Sequence, residues 1–205
     1  AYIVNGYSEL DRNSAQFNGT HPFRGVNPAT GVVMYYQLPA LKPDEHIELE
    51  IRDASGALVR SFSSKPDSTY KRYDGAPAPD PVLSRGTGLN RFVWNMRYPT
   101  AKAVPNIYIE SSYAGHKASP GKYTATLKSG AKTLSAPFEI LPNPLYDLTP
   151  ADYQAYHELM SGMEKNLNTM HSMVNALYQR QQQLAQVLAA MPADGRYASD
   201  RKSVV

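Results

Sequence analysis

The sequence predicts a mainly β chain, in which an antiparallel β-sandwich is followed by one long C-terminal α-helix. Short stretches within residues 1–147 alternate apolar and polar side chains, as strands with one buried face do. Gly, Pro and Asp turns separate these stretches, which is typical of antiparallel sheets. After residue 147 the apolar spacing changes to that of a helix. We therefore predict a β-sandwich domain with long Pro- and Tyr-rich loops over 1–147, a helix over 148–192 and a polar tail over 193–205.

Composition excludes several classes of protein. The 205 residues are 42% hydrophobic and 19% charged, which is typical of a globular chain. The net charge is +3 without a Lys/Arg run, so nucleic acid is not an expected partner. The absence of cysteine excludes disulfides, thiolate zinc sites and a cysteine nucleophile. No apolar run approaches the ~20 residues of a membrane span, and the start "AYIVNGYSEL" has no signal-peptide pattern, as expected of a mature product or an excised fragment.

The first predicted strands differ in pattern. "VVMYYQL" (32–38) is apolar on both faces, which predicts a central strand. "HIELEIRD" (46–53) alternates strictly and predicts a strand with one buried face. Its inward residues are Ile47, Leu49 and Ile51. "DASG" (53–56) has turn chemistry, so "ALVRSF" is predicted to return as the neighbouring strand.

The stretch "GLNRFVWNMRYP" (88–99) contains the only tryptophan of the chain. Trp94 can be interpreted as a binding platform between arginines or as a core residue of a strand. Its neighbours favour the core, because apolar side chains occupy every even position from Phe92 to Tyr98. Arg91 and Arg97 are then predicted to point outward.

Residues 123–141 predict a hairpin that turns at Ser129-Gly130. Its first strand has Tyr123, Ala125 and Leu127 on one face. Its second strand has Leu134, Ala136, Phe138 and Ile140 on one face. Pro137 points outward and predicts an edge strand, because proline cannot donate to a ladder. The Pro-Gly turn in "SPGKY" (119–123) presents Tyr123 at a strand start, similar to a tyrosine corner.

The helix is predicted to begin with Thr149 as N-cap, Pro150 in the first turn and Asp152 completing a capping box. A seam of apolar residues then recurs in heptads, interrupted by Gln181. Its members are Tyr153, Tyr156, Met160, Met163, Leu167, Met170, Val174, Leu177, Leu184, Leu188 and Met191. A helix of this span is roughly 60 Å long, longer than its own domain can cover. The seam is therefore expected to meet a second helix or a second copy, with complete packing on the parent domain as the alternative.

No pattern of catalytic residues emerges from the sequence. "HELMS" (157–161) lacks the second histidine of a zinc-protease motif, and no nucleophile elbow, phosphate-binding loop or EF-hand loop is present. The acidic residues available for an acid–base pair fit a solvated face or turns better. They are Asp44, Glu45, Glu48 and Glu50. We therefore expect no enzyme activity, no metal and no cofactor.

Two long loops retain functional interest. The Pro-rich loop over 63–88 carries Tyr70, Arg72 and Tyr73, and the loop over 104–123 carries Tyr108, Tyr113 and His116. Long loops are often functional, and exposed tyrosines stack on sugars or anchor peptides. We predict these six residues as a binding site for a glycan or a peptide, against the alternative of ordinary loops fixed by proline.

The order of several segments resembles a bacterial family. They are "GVNPATGVVMYYQL", "IELEIRDASGALVRSF", "GLNRFVWNMRYP", "ASPGKYTATLKSGAKTLSAPFEILPNP" and the helix start "LTPADYQAYHEL". Together they resemble the C-terminal module of sortilin-like BNR-repeat β-propeller proteins, which are described as glycosyl-hydrolase-like. No single motif is specific to this family, but the order in which the segments follow one another over residues 22–190 is specific.

The resemblance implies an immunoglobulin- or fibronectin-like sandwich in an exported protein, periplasmic or extracellular. It also implies an upstream β-propeller that carries any substrate site, and a C-terminal helix that folds back as a hairpin, for which this sequence is too short. We thus expect a non-catalytic accessory module that packs on the propeller or dimerises through its helix. The alternative is a stand-alone glycan- or peptide-binding module.

Overall fold

The alternating stretches form six antiparallel strands in the computed structural model, which describes residues 29–107, 109, 110 and 112–190. The strands are β1 (Val32–Leu38), β2 (Ile47–Asp53), β3 (Leu58–Ser63), β4 (Gly88–Trp94), β5 (Gly121–Ser129) and β6 (Lys132–Ile140), and the helix is α1 (Pro150–Ala190). The prediction of a mainly β chain with one long C-terminal helix is confirmed. Tyr108, Met191 and the predicted tail over 193–205 lie outside the described residues.

The strands form two sheets whose side chains share one core. The larger sheet has the order β3-β2-β5-β6, and β1 pairs with β4. The rings of Phe62 and Phe92, one from each sheet, lie 4.7 Å apart, and the Trp94 ring is 6.1 Å from that of Tyr123. Burial of these large apolar side chains is the main source of stability for such a domain. An immunoglobulin-like topology remains a prediction.

Trp94 occupies the core, as predicted. Its side chain is 0% exposed, and its indole Nε1 donates to the carbonyl oxygen of Arg97 at 3.0 Å. The predicted strand over 91–98 was too long, because β4 ends at Trp94 and Met96 adopts a positive φ of 58°. Arg97 consequently does not point to solvent: it is half-buried and donates to the carbonyl oxygen of Gly115 at 2.8 Å.

The prediction of β1 as a central strand is not met in the part of the chain that the structure describes. Within the described residues β1 pairs only with β4, and its outward side chain Tyr35 is 63% exposed. Val32 and Leu38 are buried, so only one face of β1 contributes to the core. A strand with two apolar faces therefore leaves one of them on the surface of a two-stranded sheet.

The β2–β3 and β5–β6 hairpins follow the predictions. Ile47, Leu49 and Ile51 are buried in β2. In the β2–β3 turn the carboxylate of Asp53 accepts hydrogen bonds from the backbone N–H groups of Ser55 and Ala57. Burial alone would raise the pKa of Asp53, but hydrogen bonds from Ser55 and Ala57 outweigh it and lower the pKa.

The β5–β6 hairpin turns through Gly130, which has a φ of +55°. Pro137 is exposed on β6, the edge strand of the larger sheet, as predicted. The hydroxyl of Tyr123 donates to the carbonyl oxygen of Ser119 at 2.6 Å, as expected for a corner that ties a strand to the preceding turn. Burial raises the pKa of this tyrosine.

The start of α1 also follows the prediction. The backbone N–H of Thr149 donates to the carboxylate of Asp152 at 2.8 Å, and the N–H of Asp152 donates to the Thr149 hydroxyl at 3.3 Å. Each residue thus satisfies a backbone donor that the first turn leaves free. The helix continues without a break to Ala190, the last described residue of this segment.

Candidate functional site on the two faces of the long helix

The helix contacts its own domain through polar side chains. We define the polar stripe as five of the residues of α1 that make these contacts, spaced seven, four, three and four residues apart. They are His157, Glu164, Asn168, His171 and Asn175. Residues at this spacing lie on one face of a helix. Their partners lie in the segment between β4 and β5. Ser172, beside the polar stripe, also accepts a hydrogen bond from Nζ of Lys102.

His116 is at the centre of one group of contacts. Its backbone N–H donates to the Glu164 carboxylate at 2.6 Å, and its Nε2 lies 3.0 Å from Nδ1 of His157. The imidazole stacks on Tyr98, with ring centroids 4.2 Å apart. Its Nδ1 lies 2.9 Å from the Glu164 carboxylate without the alignment of a hydrogen bond. Burial raises the pKa of Tyr98.

Lys102 and Ala103 provide the second group of contacts. The backbone N–H of Lys102 donates to the side chain of Asn168 at 2.7 Å, and its carbonyl oxygen contacts the ring of His171. The side-chain amide of Asn175 donates to the carbonyl oxygen of Ala103 at 2.9 Å. The polar stripe therefore supplies partners to backbone groups of a segment that lies outside the six strands.

The opposite face of α1 is apolar and exposed. We define the apolar stripe as eight exposed residues in two rows that alternate at spacings of three and four. They are Tyr156, Leu159, Met163, Met170, Met173, Leu177, Leu184 and Val187. Asn166 and Arg180 occupy the two remaining positions. This alternation is that of a helix that packs against another helix.

The apolar stripe shares one row of residues with the predicted seam and differs from it in the other row. Of the predicted residues, the row Tyr156, Met163, Met170, Leu177 and Leu184 is exposed. In the other row Tyr153, Met160, Leu167 and Leu188 are half-buried, whereas Val174 is exposed. Leu159, Met173 and Val187 take its place, and the sequence analysis missed them. Both rows have heptad spacing, and only the position of the docked domain distinguishes them.

The predicted loop site is divided by the structure. Tyr70 and Tyr73 are half-buried and line a cleft of about 1290 Å³ together with Tyr178 of α1, whereas Arg72 is exposed and does not line it. Tyr113 and His116 are 7% and 3% exposed. The expectation that these two offer an accessible surface is wrong, because the helix covers them. Tyr108 lies outside the described residues.

A smaller pocket of about 420 Å³ lies at the start of the helix. It is bounded by the segment before β5, the linker after β6 and the first two turns of α1. Its aromatic lining residues are Tyr146, Tyr153 and Tyr156. Tyr156 also belongs to the apolar stripe, so the pocket continues that surface toward the N-terminal end of the helix.

Metal binding and membrane insertion find no support in the described part of the chain. No group of three or more His, Asp or Glu residues there has an arrangement that could hold a metal ion. Within the same residues, no helix is long and apolar enough to cross a membrane.

Comparisons with known proteins give no relative for this chain. No protein-family model matches it, and neither a curated protein nor a solved structure is significantly similar to it. The resemblance to the C-terminal module of sortilin-like proteins therefore remains a prediction from the sequence segments.

Proposed function

We propose that the chain is a non-catalytic interaction module whose long helix presents the apolar stripe to a protein partner. The observation that carries the proposal is the exposure of most large apolar side chains of the helix. α1 hydrogen-bonds its own domain through the polar stripe and keeps Tyr153, Met160 and Leu167 half-buried, while the eight residues of the apolar stripe are exposed. A helix of a self-contained domain buries its apolar side chains against that domain.

The size of the stripe supports a partner rather than chance exposure. From Tyr156 to Val187 it extends along roughly 47 Å of helix. Complete burial of a fully exposed Leu, Val or Met side chain contributes about 1.5–3 kcal/mol. The eight residues of the stripe are 42–64% exposed, so covering them adds a part of that amount for each residue, before the cost of association. Large contiguous apolar patches on soluble proteins mark interaction sites.

The resemblance stated above suggests the biological setting. In an exported parent protein of the sortilin-like type, the module would be an immunoglobulin- or fibronectin-like sandwich beside a β-propeller. The stripe would then pack on that propeller or on a second copy. No residue group of the described chain argues for catalysis within the module itself.

A site-specific photo-crosslinker tests the proposal in the source cells. Placed at Leu177, in the apolar stripe, it should give adducts of defined mass. Placed at Gln182, on the opposite and exposed side of the same helix half, it should give few. Equal yields at the two positions, or none at Leu177, would contradict the proposal.

A second candidate function rests on the cleft that Tyr70, Tyr73 and Tyr178 line. Tyrosine rings in an open cleft can stack on sugars or hold a peptide. Tyr70→Ala and Tyr73→Ala should then abolish an affinity found in a glycan and peptide screen, while circular dichroism stays unchanged. Tyr35→Ala, at an exposed tyrosine of β1, is the matched control. A screen without any ligand would remove this candidate.

A further inference from the structure

We infer that the apolar stripe is covered by the same stripe of a second copy of this chain, with the two helices antiparallel. The inference rests on the proposed function and names its partner. The first observation is the distribution of helix contacts. The described hydrogen bonds to the domain join residues 153–175, whereas the part of α1 after residue 175 makes none.

In each copy, the part of α1 up to residue 175 is the docked half and the part after it is the projecting half. Both halves carry the apolar stripe. In an antiparallel pair, the projecting half of each helix packs on the docked half of the other. The two domains then lie at opposite ends of the pair, on the outward sides of the helices. All of the stripe is covered in one symmetric, closed interface.

The register follows from the alternating spacing. In an antiparallel pair, a residue of one row faces a residue of the other row in the second copy. The two residue numbers of each such layer add to 343. The layers are Tyr156 with Val187, Leu159 with Leu184, Met163 with Arg180, Asn166 with Leu177, and Met170 with Met173. Three of the five layers are wholly apolar, and the polar residues Asn166 and Arg180 each face an apolar partner at a different layer.

The charges of α1 favour the antiparallel direction. Its three acidic residues, Asp152, Glu158 and Glu164, lie in the first part of the helix, and its two Lys/Arg residues, Lys165 and Arg180, lie after them. Antiparallel pairing places Arg180 opposite Met163 of the second copy, so two like charges do not meet in the core. Parallel pairing places Arg180 directly against Arg180, which is repulsive at a core position. Antiparallel helix dipoles also attract each other.

The small pocket at the start of α1 provides an independent argument. It is lined mainly by apolar atoms and by the aromatic residues Tyr146, Tyr153 and Tyr156. In the antiparallel register the end of the second helix, at Val187, arrives beside Tyr156. The pocket thus lies where an apolar side chain of the second copy requires a cavity.

Single cysteines test both the partner and the direction, because the natural chain contains no cysteine. The variants are Leu159→Cys and Leu184→Cys in the full chain, under a mild oxidant. A mixture of the two should form a disulfide between unlike chains. Neither variant alone should form one, because positions 159 and 184 are about 37 Å apart along the helix. Gln182→Cys mixed with Leu159→Cys is the matched control and should remain reduced.

Light scattering of the unmodified chain should give the mass of a dimer, and Leu177→Asp with Leu184→Asp should give a monomer. The control pair Gln182→Asp with Gln186→Asp should remain dimeric. Disulfides formed by Leu159→Cys alone would overturn the antiparallel direction. A monomeric unmodified chain at high concentration would overturn the second copy as partner. If crosslinking at Leu177 still gave an adduct with a different protein, the proposed function would stand and this inference alone would fall.

Discussion

Nε2 of His116 lies 3.0 Å from Nδ1 of His157, and this contact joins the loop before β5 to the long helix. One of the two nitrogens must donate and the other accept, so the tautomers of the two rings are coupled. Glu164, the next residue of the polar stripe after His157, accepts a hydrogen bond from the backbone N–H of His116. The loop residue is thus held at two points of one helix face.

Removal of Glu164 should loosen the helix from its domain. Glu164→Leu leaves the buried N–H of His116 without its acceptor, and hydrogen bonds to charged groups contribute about 1.5–3 kcal/mol. Glu164→Gln retains an oxygen acceptor but removes the charge beside His116 and should have a smaller effect. Hydrogen exchange at the His116 amide and urea unfolding measure the effects of the two variants. Glu158→Gln, on an exposed part of the helix, is the control, and an equal loss there would refute the assignment.

Two glycines should respond to alanine with opposite signs. A Cβ on Gly115 would lie 2.4 Å from the carbonyl oxygen of Tyr98 and 2.6 Å from that of Pro99, both backbone atoms. We expect Gly115→Ala to cost about 1–3 kcal/mol, as overpacking does, and to displace His116. Gly162 is exposed in α1 with open space around it, so Gly162→Ala should stabilise the chain by about 1 kcal/mol. Thermal unfolding of the two variants compares them directly, and a loss in both would contradict the prediction.

The hairpins of the larger sheet were predictable from their turns and from alternation, which β2 follows strictly. In β6 the predicted apolar face is exposed at Leu134 and Ala136, half-buried at Phe138 and buried only at Ile140.

β1 differs from its prediction in the described part of the chain, since Tyr35 and Val33 are apolar by type yet exposed. The sequence reveals that a residue is apolar, but not whether a second layer covers it. For α1, the start was predictable from local chemistry at Thr149 and Asp152, which needs no tertiary contact.

The polar stripe was not predictable by hydrophobic periodicity, because that method searches for buried apolar residues. His157, Glu164 and His171 recur at intervals of seven, and this polar repeat was the available signal. Which apolar row remains free depends on the docking of that stripe. The choice between Met160 and Leu159 was therefore a tertiary question that no local pattern answers.

Acid should weaken the start of the helix through Asp152. Hydrogen bonds from the Thr149 side chain and backbone lower the pKa of this carboxyl in the folded chain. Because the folded pKa lies below the unfolded value, the stabilisation is complete above the unfolded pKa and is lost as the pH falls through the folded one. Asp152→Asn has no carboxyl group at this position, so its contribution to the cap does not change with pH.

The difference in unfolding free energy between the natural chain and Asp152→Asn should thus be constant near neutral pH and shrink only in acid, below pH ~4. Urea unfolding at a series of pH values measures it, and an NMR titration of Asp152 gives the folded pKa. A difference that does not change from neutral to strongly acidic pH would show that the carboxylate charge is unimportant for the cap.

Among the ion pairs of the described residues, that of Arg60 and Asp80 has the largest difference in exposure between its two side chains. Arg60 is only 7% exposed, while the side chain of Asp80 is 55% exposed in the loop between β3 and β4. Burial lowers the pKa of Arg60, and the carboxylate of Asp80 counteracts this shift. Among the described residues, one terminal nitrogen of the guanidinium has no hydrogen-bond partner. The buried cation therefore depends strongly on a single exposed anion.

We expect Asp80→Ala to cost about 1–3 kcal/mol, because it leaves a buried charge without its partner. Arg60→Met should cost less, since an apolar side chain of similar length fits beside Phe62, over whose ring the guanidinium lies. The double variant should then unfold like Arg60→Met alone, because the second change removes a carboxylate that no longer faces a cation. Urea unfolding of the four chains gives the coupling energy.

The control is Asp74→Ala, which removes an exposed carboxylate of the same loop. If Asp80→Ala were as mild as that control, the position of Arg60 would be fixed by packing on Phe62 rather than by its anion.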